Sequence, residues 1–308
     1  MGISCTFGSM PERSAPAQAC RARVLLPIGL LAMSSASILI KICEAPPLII
    51  AAYRLTLATL VLIPFTLPRV VREFHLIGRQ EILPSLLAGL FLCFHFALWV
   101  TSLKYTSVAS SVIFVTTNPI FVALASTFFL GERLSAALLL SILVAIFGGL
   151  IIGWGDFDKG LQNVYGDFLA LLGAIMATGY LLVGRRMRQK MDLGAYITLV
   201  YGMAAFFLVL LALISGDAFF NYPPKTYLLF FLLAFVPQLI GHTTMNWALK
   251  FFSATLVALL ILGEPIGATI LAYLILGELL SHHLIWGAPL VLLGIYFAAR
   301  EERKLGKL

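Results

Sequence analysis

Residues 103–148 read LKYTSVASSVIFVTTNPIFVALASTFFLGERLSAALLLSILVAIFG, and residues 249–294 read LKFFSATLVALLILGEPIGATILAYLILGELLSHHLIWGAPLVLLG. Laid over each other at an offset of 146, without a gap, the two stretches agree at twelve of 46 positions. So leucine-rich a composition would give roughly four by chance. Several of the shared residues are not apolar filler: Lys104 and Lys250, Ser107 and Ser253, Pro119 and Pro265, Gly131 and Gly277, Glu132 and Glu278, Ser135 and Ser281, Gly148 and Gly294. The chain is one design used twice.

Of the 308 residues 61% are hydrophobic and only 11% charged, with a mean hydropathy of +1.00. That balance belongs in a bilayer rather than in water. The apolar runs have helix-spanning length, about 20 residues, rather than the short alternating pattern of an outer-membrane barrel. Ten spans are expected, at 24–43, 47–67, 81–103, 107–130, 135–155, 166–184, 194–214, 226–248, 253–276 and 282–299. The fold class expected is an all-α membrane protein, ten transmembrane helices forming two five-helix repeats around a central cavity. Five is odd, so the second repeat must be inverted relative to the first, and inverted repeats are the architecture of secondary transporters. The domain reading follows: a cytoplasmic tail over 1–23, a first repeat over 24–155, an outer linker over 156–165, a second repeat over 166–299 and a basic tail over 300–308. The linker is polar, with Asp156, Asp158, Lys159, Gln162 and Asn163 in or beside it.

A net charge of +7 invites a nucleic-acid partner until its distribution is examined. With residue 1 in the cytoplasm, the inner segments hold sixteen Lys and Arg, and the outer loops hold four, Lys41, Lys104, Lys159 and Lys225. This is the positive-inside asymmetry, and it places both termini in the cytoplasm and the chain in the inner membrane. Topology accounts for the basic balance, so no nucleic acid is expected. Arg21 and Arg23 ahead of an apolar run resemble a signal peptide, but cleavage there would remove span 1 and destroy the five-plus-five symmetry. The four cysteines, Cys5, Cys20, Cys43 and Cys93, have no CxxC spacing and imply neither disulfide nor metal.

The loops after spans 4 and 9 both read Gly-Glu-x-Leu-Ser. Gly131 and Gly277 can take the left-handed conformation that stops a helix, and Ser135 and Ser281 can cap the next one. Tight antiparallel hairpins result. Glu132 and Glu278 sit in those turns at opposite faces, either bonding amides and cations at the water boundary or acting as gates. Gly149 with Gly153, and Gly263 with Gly267, have the four-residue spacing that permits close helix packing.

Pro119 and Pro265 break their helices near the bilayer midplane, since proline offers no amide to the carbonyl four residues back. Such backbone is tolerated where it is buried or faces a wet cavity. Asn118 and Glu264 precede them, which puts an amide and a carboxyl where transporters of this construction bind substrate. An ionised Glu264 at that depth needs a partner, a wet cavity or a bound proton. It fits proton coupling, recognition of a substrate amine, or a structural ion pair. His95 and His242 lie within one residue of the 146-residue correspondence, flanked by Trp99 and Asn246. They read as lining a cavity, and neither has the spacing of a metal site. Arg54, about two turns into span 2, either snorkels outward, pairs with a carboxylate or holds a substrate carboxylate. The aromatic residues, 12% of the chain, are expected mostly at lipid or interface.

The stretch Leu103-Lys-Tyr-Thr-Ser-Val-Ala, the pairs Asn118-Pro119 and Gly148-Gly149, and Leu130-Gly-Glu-Arg-Leu-Ser135, with their second-half counterparts, together with Tyr53-Arg54 at the head of span 2, resemble the EamA-type family of the drug/metabolite transporter superfamily. The resemblance covers nearly the whole chain. It implies a ten-helix basket, alternating access by rocking of the halves, and export of amino acids, their analogues or other small metabolites. A multidrug or cationic-compound exporter, with Glu264 attracting the cation, is the alternative. The carboxylate of Gly263-Glu264-Pro265 departs from what is general to the family. The partners expected are a small-molecule substrate and membrane lipid, with no cofactor beyond a coupling proton. The sequence does not assign an oligomeric state, and a monomer suffices for the two-half design. No HExxH, GxSxG or GxxxxGK motif is present, so neither an intramembrane enzyme nor an ATP-driven pump is indicated.

Overall fold

The computed structural model describes residues 15–77, 82–129, 131, 134–153, 161–277 and 282–304. All regular structure in these residues is helical, as it must be for segments without strand partners in a bilayer, where every backbone amide has to be satisfied from within. The first half contains α1 (Ala15–Lys41), α2 (Pro47–Ile77), α3 (Ile82–Tyr105), α4 (Val108–Val115), α5 (Asn118–Phe129) and α6 (Ala136–Gly153). The second contains α7 (Leu161–Arg188), α8 (Leu193–Ser215), α9 (Pro224–Leu233), a π-helical segment Ala234–His242, α10 (Thr243–Ala248), α11 (Ala254–Ile261), α12 (Glu264–Leu271), a π turn Ala272–Leu276 and α13 (His282–Lys304).

Eight helical stretches among the described residues are long and apolar enough to cross a membrane, rather than the ten expected. Three of the eight are composite: α4 with α5, α9 through α10, and α11 through the π turn. Of the other two expected spans, α6 is apolar but shorter, over Ala136–Ile151, and α13 is not among the eight.

Residues shared between the halves carry matching structural tasks. The Ser107 hydroxyl accepts the Ser110 amide at 3.1 Å to cap α4, and Ser253 accepts the Leu256 amide at 3.0 Å to cap α11. Gly131 and Gly277 end their helices at φ 65° and 69°, where any other L-residue would be strained. Gly148 and Gly294 sit where α6 crosses α13. A Cβ on Gly148 would lie 2.6 Å from the Gly287 carbonyl oxygen, and one on Gly294 2.5 Å from the Ala145 Cβ.

The prolines do not kink continuous helices. In each half the helix is interrupted by a two-residue turn, at Thr116–Thr117 and at Leu262–Gly263, and the proline then becomes the second residue of α5 or α12. A missing amide costs nothing in the first turn of a helix, which explains why the break falls one step earlier than a kink would. The bonds spanning the two breaks correspond residue for residue. The Thr117 amide donates to the Phe114 carbonyl at 3.3 Å and that of Ile120 to Thr117 at 3.2 Å, while Gly263 donates to Leu260 at 3.0 Å and Ile266 to Gly263 at 3.2 Å.

Packing repeats as well. α3 runs along α7, and its second-half mate, the π segment with α10, runs along α1. α2 pairs with α8, α6 with α13, α5 with α11 and α4 with α12. The spacing of Gly263 and Gly267 serves the crossing of α1 over α12, since added Cβ atoms would meet Leu30 Cδ2 at 2.8 Å and Ser34 Cβ at 2.6 Å. Gly149 has no such neighbour, its nearest atom being Leu262 Cδ1 at 3.8 Å. Outward faces carry exposed large side chains, among them Phe65, Phe128, Phe129, Ile214 and Leu274. Glu132, Glu278 and Ser281 lie outside the described residues.

Candidate transport cavity

Both helix breaks open onto the same space. The cavity is small, about 40 Å³, and its walls include Met33 and Ala36 of α1, His95 and Trp99 of α3, Asn118 of α5, Ala177, Tyr180 and Leu181 of α7, His242, Asn246 and Glu264. Of the residues singled out in the sequence, His95, Trp99, Asn118, His242, Asn246 and Glu264 are brought together here. Pro119 and Pro265 lie beside it as the second residues of their half-helices. The walls contributed by α1 and α7 were not anticipated.

Asn118 and Glu264 open α5 and α12 and are both buried. The Asn118 Oδ1 has no hydrogen-bond partner among the described residues. The Glu264 backbone carbonyl accepts the Ser34 hydroxyl at 3.2 Å, which ties α12 to α1. Its carboxyl makes no hydrogen bond or ion pair with a described residue, and it is left to the cavity.

An aromatic wall faces these two. His95 stacks on Trp99 at 6.0 Å and 12°, and Phe96 meets the edge of His242 at 5.3 Å. The His95 Nδ1 lies 3.0 Å from the Gly173 carbonyl oxygen. A carbonyl only accepts, so Nδ1 carries the proton and, in the neutral ring, Nε2 is the acceptor. The Trp99 indole N–H has no partner among the described residues. The Asn246 Nδ2 donates to the His242 carbonyl at 2.9 Å and to the hydroxyls of Tyr201 and Tyr180. The carbonyl contact fixes the orientation of the amide, leaving its Oδ1 unpartnered.

Arg54 does not snorkel to the outer face. It is fully buried, its Nε donates to the Gln238 Oε1 at 2.9 Å, and its guanidinium lies 4.3 Å over the Phe96 ring. It stands one side chain behind the cavity wall, since Phe96 touches both lining histidines. No ion pair joins Arg54 to Glu264. Gln238 was missed from the sequence, as were Tyr180, Tyr196 and Tyr201, which are buried in the interior rather than placed at an interface. Gln238 had a signal of its own. It adjoins Pro237 within a span, the same polar-beside-proline signature as Asn118 and Glu264.

The sequence profile of the EamA-like transporter family matches residues 22–154 and again residues 164–300. The chain belongs to that family. An uncharacterized transporter of Archaeoglobus fulgidus is 24% identical over 294 residues, covering 92% of this chain and 99% of the relative. The pseudopaline exporter CntI of Pseudomonas aeruginosa is 28% identical over 183 residues, covering 59% of this chain and 62% of the exporter. A solved crystal structure with 20% identity superposes at a TM-score of 0.74 over 93% of this chain and 99% of its own, a likeness of fold. As an EamA-like protein the chain is a multi-pass membrane transporter of the drug/metabolite superfamily and not an enzyme.

Proposed function

We propose that this EamA-like transporter is a secondary exporter of amino acids or related small metabolites across the cytoplasmic membrane, working by alternating access of two inverted five-helix halves. Both termini are cytoplasmic in this reading, and Glu264 carries the coupling proton. The carrying observation is the convergence of two helix breaks, one from each half, on one cavity with unpartnered polar groups. Discontinuous helices of this kind form the substrate and ion sites of inverted-repeat transporters.

Inversion is supported by a pair of end contacts. The Lys41 Nζ, at the end of α1, donates to the Leu103 carbonyl at the end of the third span at 3.2 Å. The Arg185 Nη1, near the end of α7, donates at 2.7 Å to the carbonyl of Leu249, the counterpart of Leu103 in the second half. In a ten-span chain these contacts fall on opposite faces. A carbonyl at a helix C-terminus favours a cation, so each face gains a similar tie.

A second reading, export of cationic compounds, draws on the Glu264 carboxyl having no cationic partner in contact. Counterflow in proteoliposomes against amino acids, nucleosides, sugars and cationic drugs, with and without a proton gradient, separates the two. Exchange of amino acids, with accumulation lost when the gradient collapses, is expected. Exchange of cationic drugs alone would move the assignment to the second reading, and exchange of none of the panel would defeat both. Reporter fusions at the C-terminus test the topology: phosphatase activity there, without cytoplasmic fluorescence, contradicts ten spans.

A further inference from the structure

Among the polar groups left without partners in the described interior, two clusters stand out. Around the cavity, among the described residues, the Asn118 Oδ1, the Asn246 Oδ1 and the Glu264 carboxyl are free to accept, beside one free donor, the Trp99 indole N–H. One layer behind Phe96, the donors are free instead. Arg54 Nη1 and Nη2 and Gln238 Nε2 are all buried, and none has an acceptor among the described residues. These donors form one unit, because the Arg54 Nε to Gln238 Oε1 bond at 2.9 Å joins the two side chains. That bond also orients the amide: Arg54 Nε can only donate, so it takes the oxygen and leaves Nε2 free. The Tyr201 hydroxyl approaches Gln238 without reaching hydrogen-bond geometry.

Buried donors are nearly always satisfied, and an unpaired buried guanidinium is among the most costly arrangements a protein can keep. The Phe96 ring face offsets only part of that cost. Six N–H bonds, four on the guanidinium fork and two on the amide, therefore await an acceptor of matching shape. A carboxylate fits, since its two oxygens accept the fork in parallel and their remaining lone pairs reach the amide.

We propose that Arg54 and Gln238 form the anionic pole of the substrate site, taking the carboxylate of a zwitterion whose ammonium group is taken by Glu264 and Asn118. Phe96 separates the two poles in the conformation described, and its displacement during the transport cycle joins them. This rests on the metabolite-export reading and deepens it, because a site with both poles selects amino-acid-like zwitterions over simple cations.

Thermal unfolding of the purified full-length protein in chloride-free detergent buffer tests the assignment. The probes are the twenty proteinogenic amino acids, their methyl esters, which keep the ammonium and lose the carboxylate, and sodium chloride. In the wild type at least one amino acid raises Tm, and its ester binds at least about tenfold more weakly. In Arg54→Gln the ligand-free Tm is unchanged or higher, because an unpaired buried cation is gone, and the acid-to-ester ratio falls to about one. Gln238→Met keeps the guanidinium and loses the amide donors, so the ratio falls several-fold. This variant carries the test if Arg54→Gln does not fold.

Retention of the full acid-to-ester ratio in a folded Arg54→Gln or in Gln238→Met overturns the assignment, as does stabilisation by chloride equal to that by any amino acid. Amino-acid counterflow that persists in such a case leaves the export reading standing and removes only this inference. Binding of esters and cationic drugs with no binding of free amino acids removes the inference and the amino-acid reading together. Carboxylate-dependent stabilisation without counterflow keeps the site and removes the export reading.

Discussion

At the break of its first hairpin the chain places Asn118, and at the break of its second it places Glu264, on backbones whose bridging hydrogen bonds correspond residue for residue. Caps, stop glycines and the crossing glycines match as well. What differs is charge: an amide keeps one protonation state, whereas a carboxyl can hold or release a proton. Repetition supplies a common backbone frame, and one divergent pair sets different chemistry at the same place in each half. The third spans diverge too, since α3 is continuous while its second-half mate contains a nine-residue π segment holding Pro237, Gln238 and His242. Such segments often mark functional positions in helices.

The largest effect is expected where the halves differ. Glu264→Gln should abolish proton-driven accumulation in proteoliposomes and weaken amino-acid exchange at least about tenfold, since the amide keeps the shape but loses both the proton and the negative charge offered to the ammonium. Moving the carboxyl across, in the double variant Asn118→Glu with Glu264→Asn, should restore about a tenth or more of the coupled rate, because both positions face one cavity. A double variant as inert as Glu264→Gln would mean that the second-half surroundings, and not the shared position, define the proton site. A well-folded Glu264→Gln with full rate and unchanged pH dependence would end the coupling role altogether.

The repeat was legible because its residues act locally. Ser107, Gly131, Pro119 and their mates cap, stop or break a helix through chemistry that survives in any tertiary setting, and a fixed offset makes the pattern visible. The cavity was legible only where polar residues stood out against an apolar background, at Asn118, Glu264, His95 and His242 with their neighbours Trp99 and Asn246. Ala36, Ala177 and Leu181 were not, because lipid makes the outer face of a helix as apolar as the inner one, which erases the periodicity that marks a core face in water. Tyr180 and Tyr201 were hidden by the preference of tyrosine for interfaces. The partner of Arg54 was hidden by distance, Gln238 being 184 residues away in sequence.

Where the halves agree, matched substitutions should cost the same. Gly148→Ala and Gly294→Ala each force α6 from α13, since their new Cβ atoms would lie 2.6 Å or less from neighbouring atoms. Each should destabilise by about 1–3 kcal/mol, read as a fall in Tm in detergent. Gly149→Ala, with its nearest neighbour at 3.8 Å, should be neutral or slightly stabilising through helix propensity. A Gly294→Ala as harmless as Gly149→Ala would remove the crossing from the shared frame. Ser107→Ala and Ser253→Ala should each cost about 1 kcal/mol by loss of a cap, and a difference above that size would show one hairpin bearing more of the fold than the other.

The smallest effects belong to the end contacts, and they test whether the two faces are tied alike. Lys41 and Arg185 both hold the carbonyl at the end of a third span, but the second-half tie is doubled. The Gln189 Nε2 also reaches the Leu249 carbonyl at 3.3 Å and that of Lys250 at 3.0 Å. Both ties lie toward solvent, so each is worth about 0.5 kcal/mol, enough to change the ratio of two conformations about twofold. Lys41→Met should favour the state open to the outer face, and Arg185→Met the state open to the inner face by a smaller factor, because Gln189 remains. A cysteine at the cavity residue Ala36, in a chain whose native cysteines are replaced by serine, reports this through labelling by an impermeant thiol reagent from each side. Faster outer labelling in Lys41→Met and faster inner labelling in Arg185→Met is the expected pair. If both variants shift labelling toward the same face, the contacts do not lie at opposite ends of an inverted pair, and the similarity of the halves stops at their backbones.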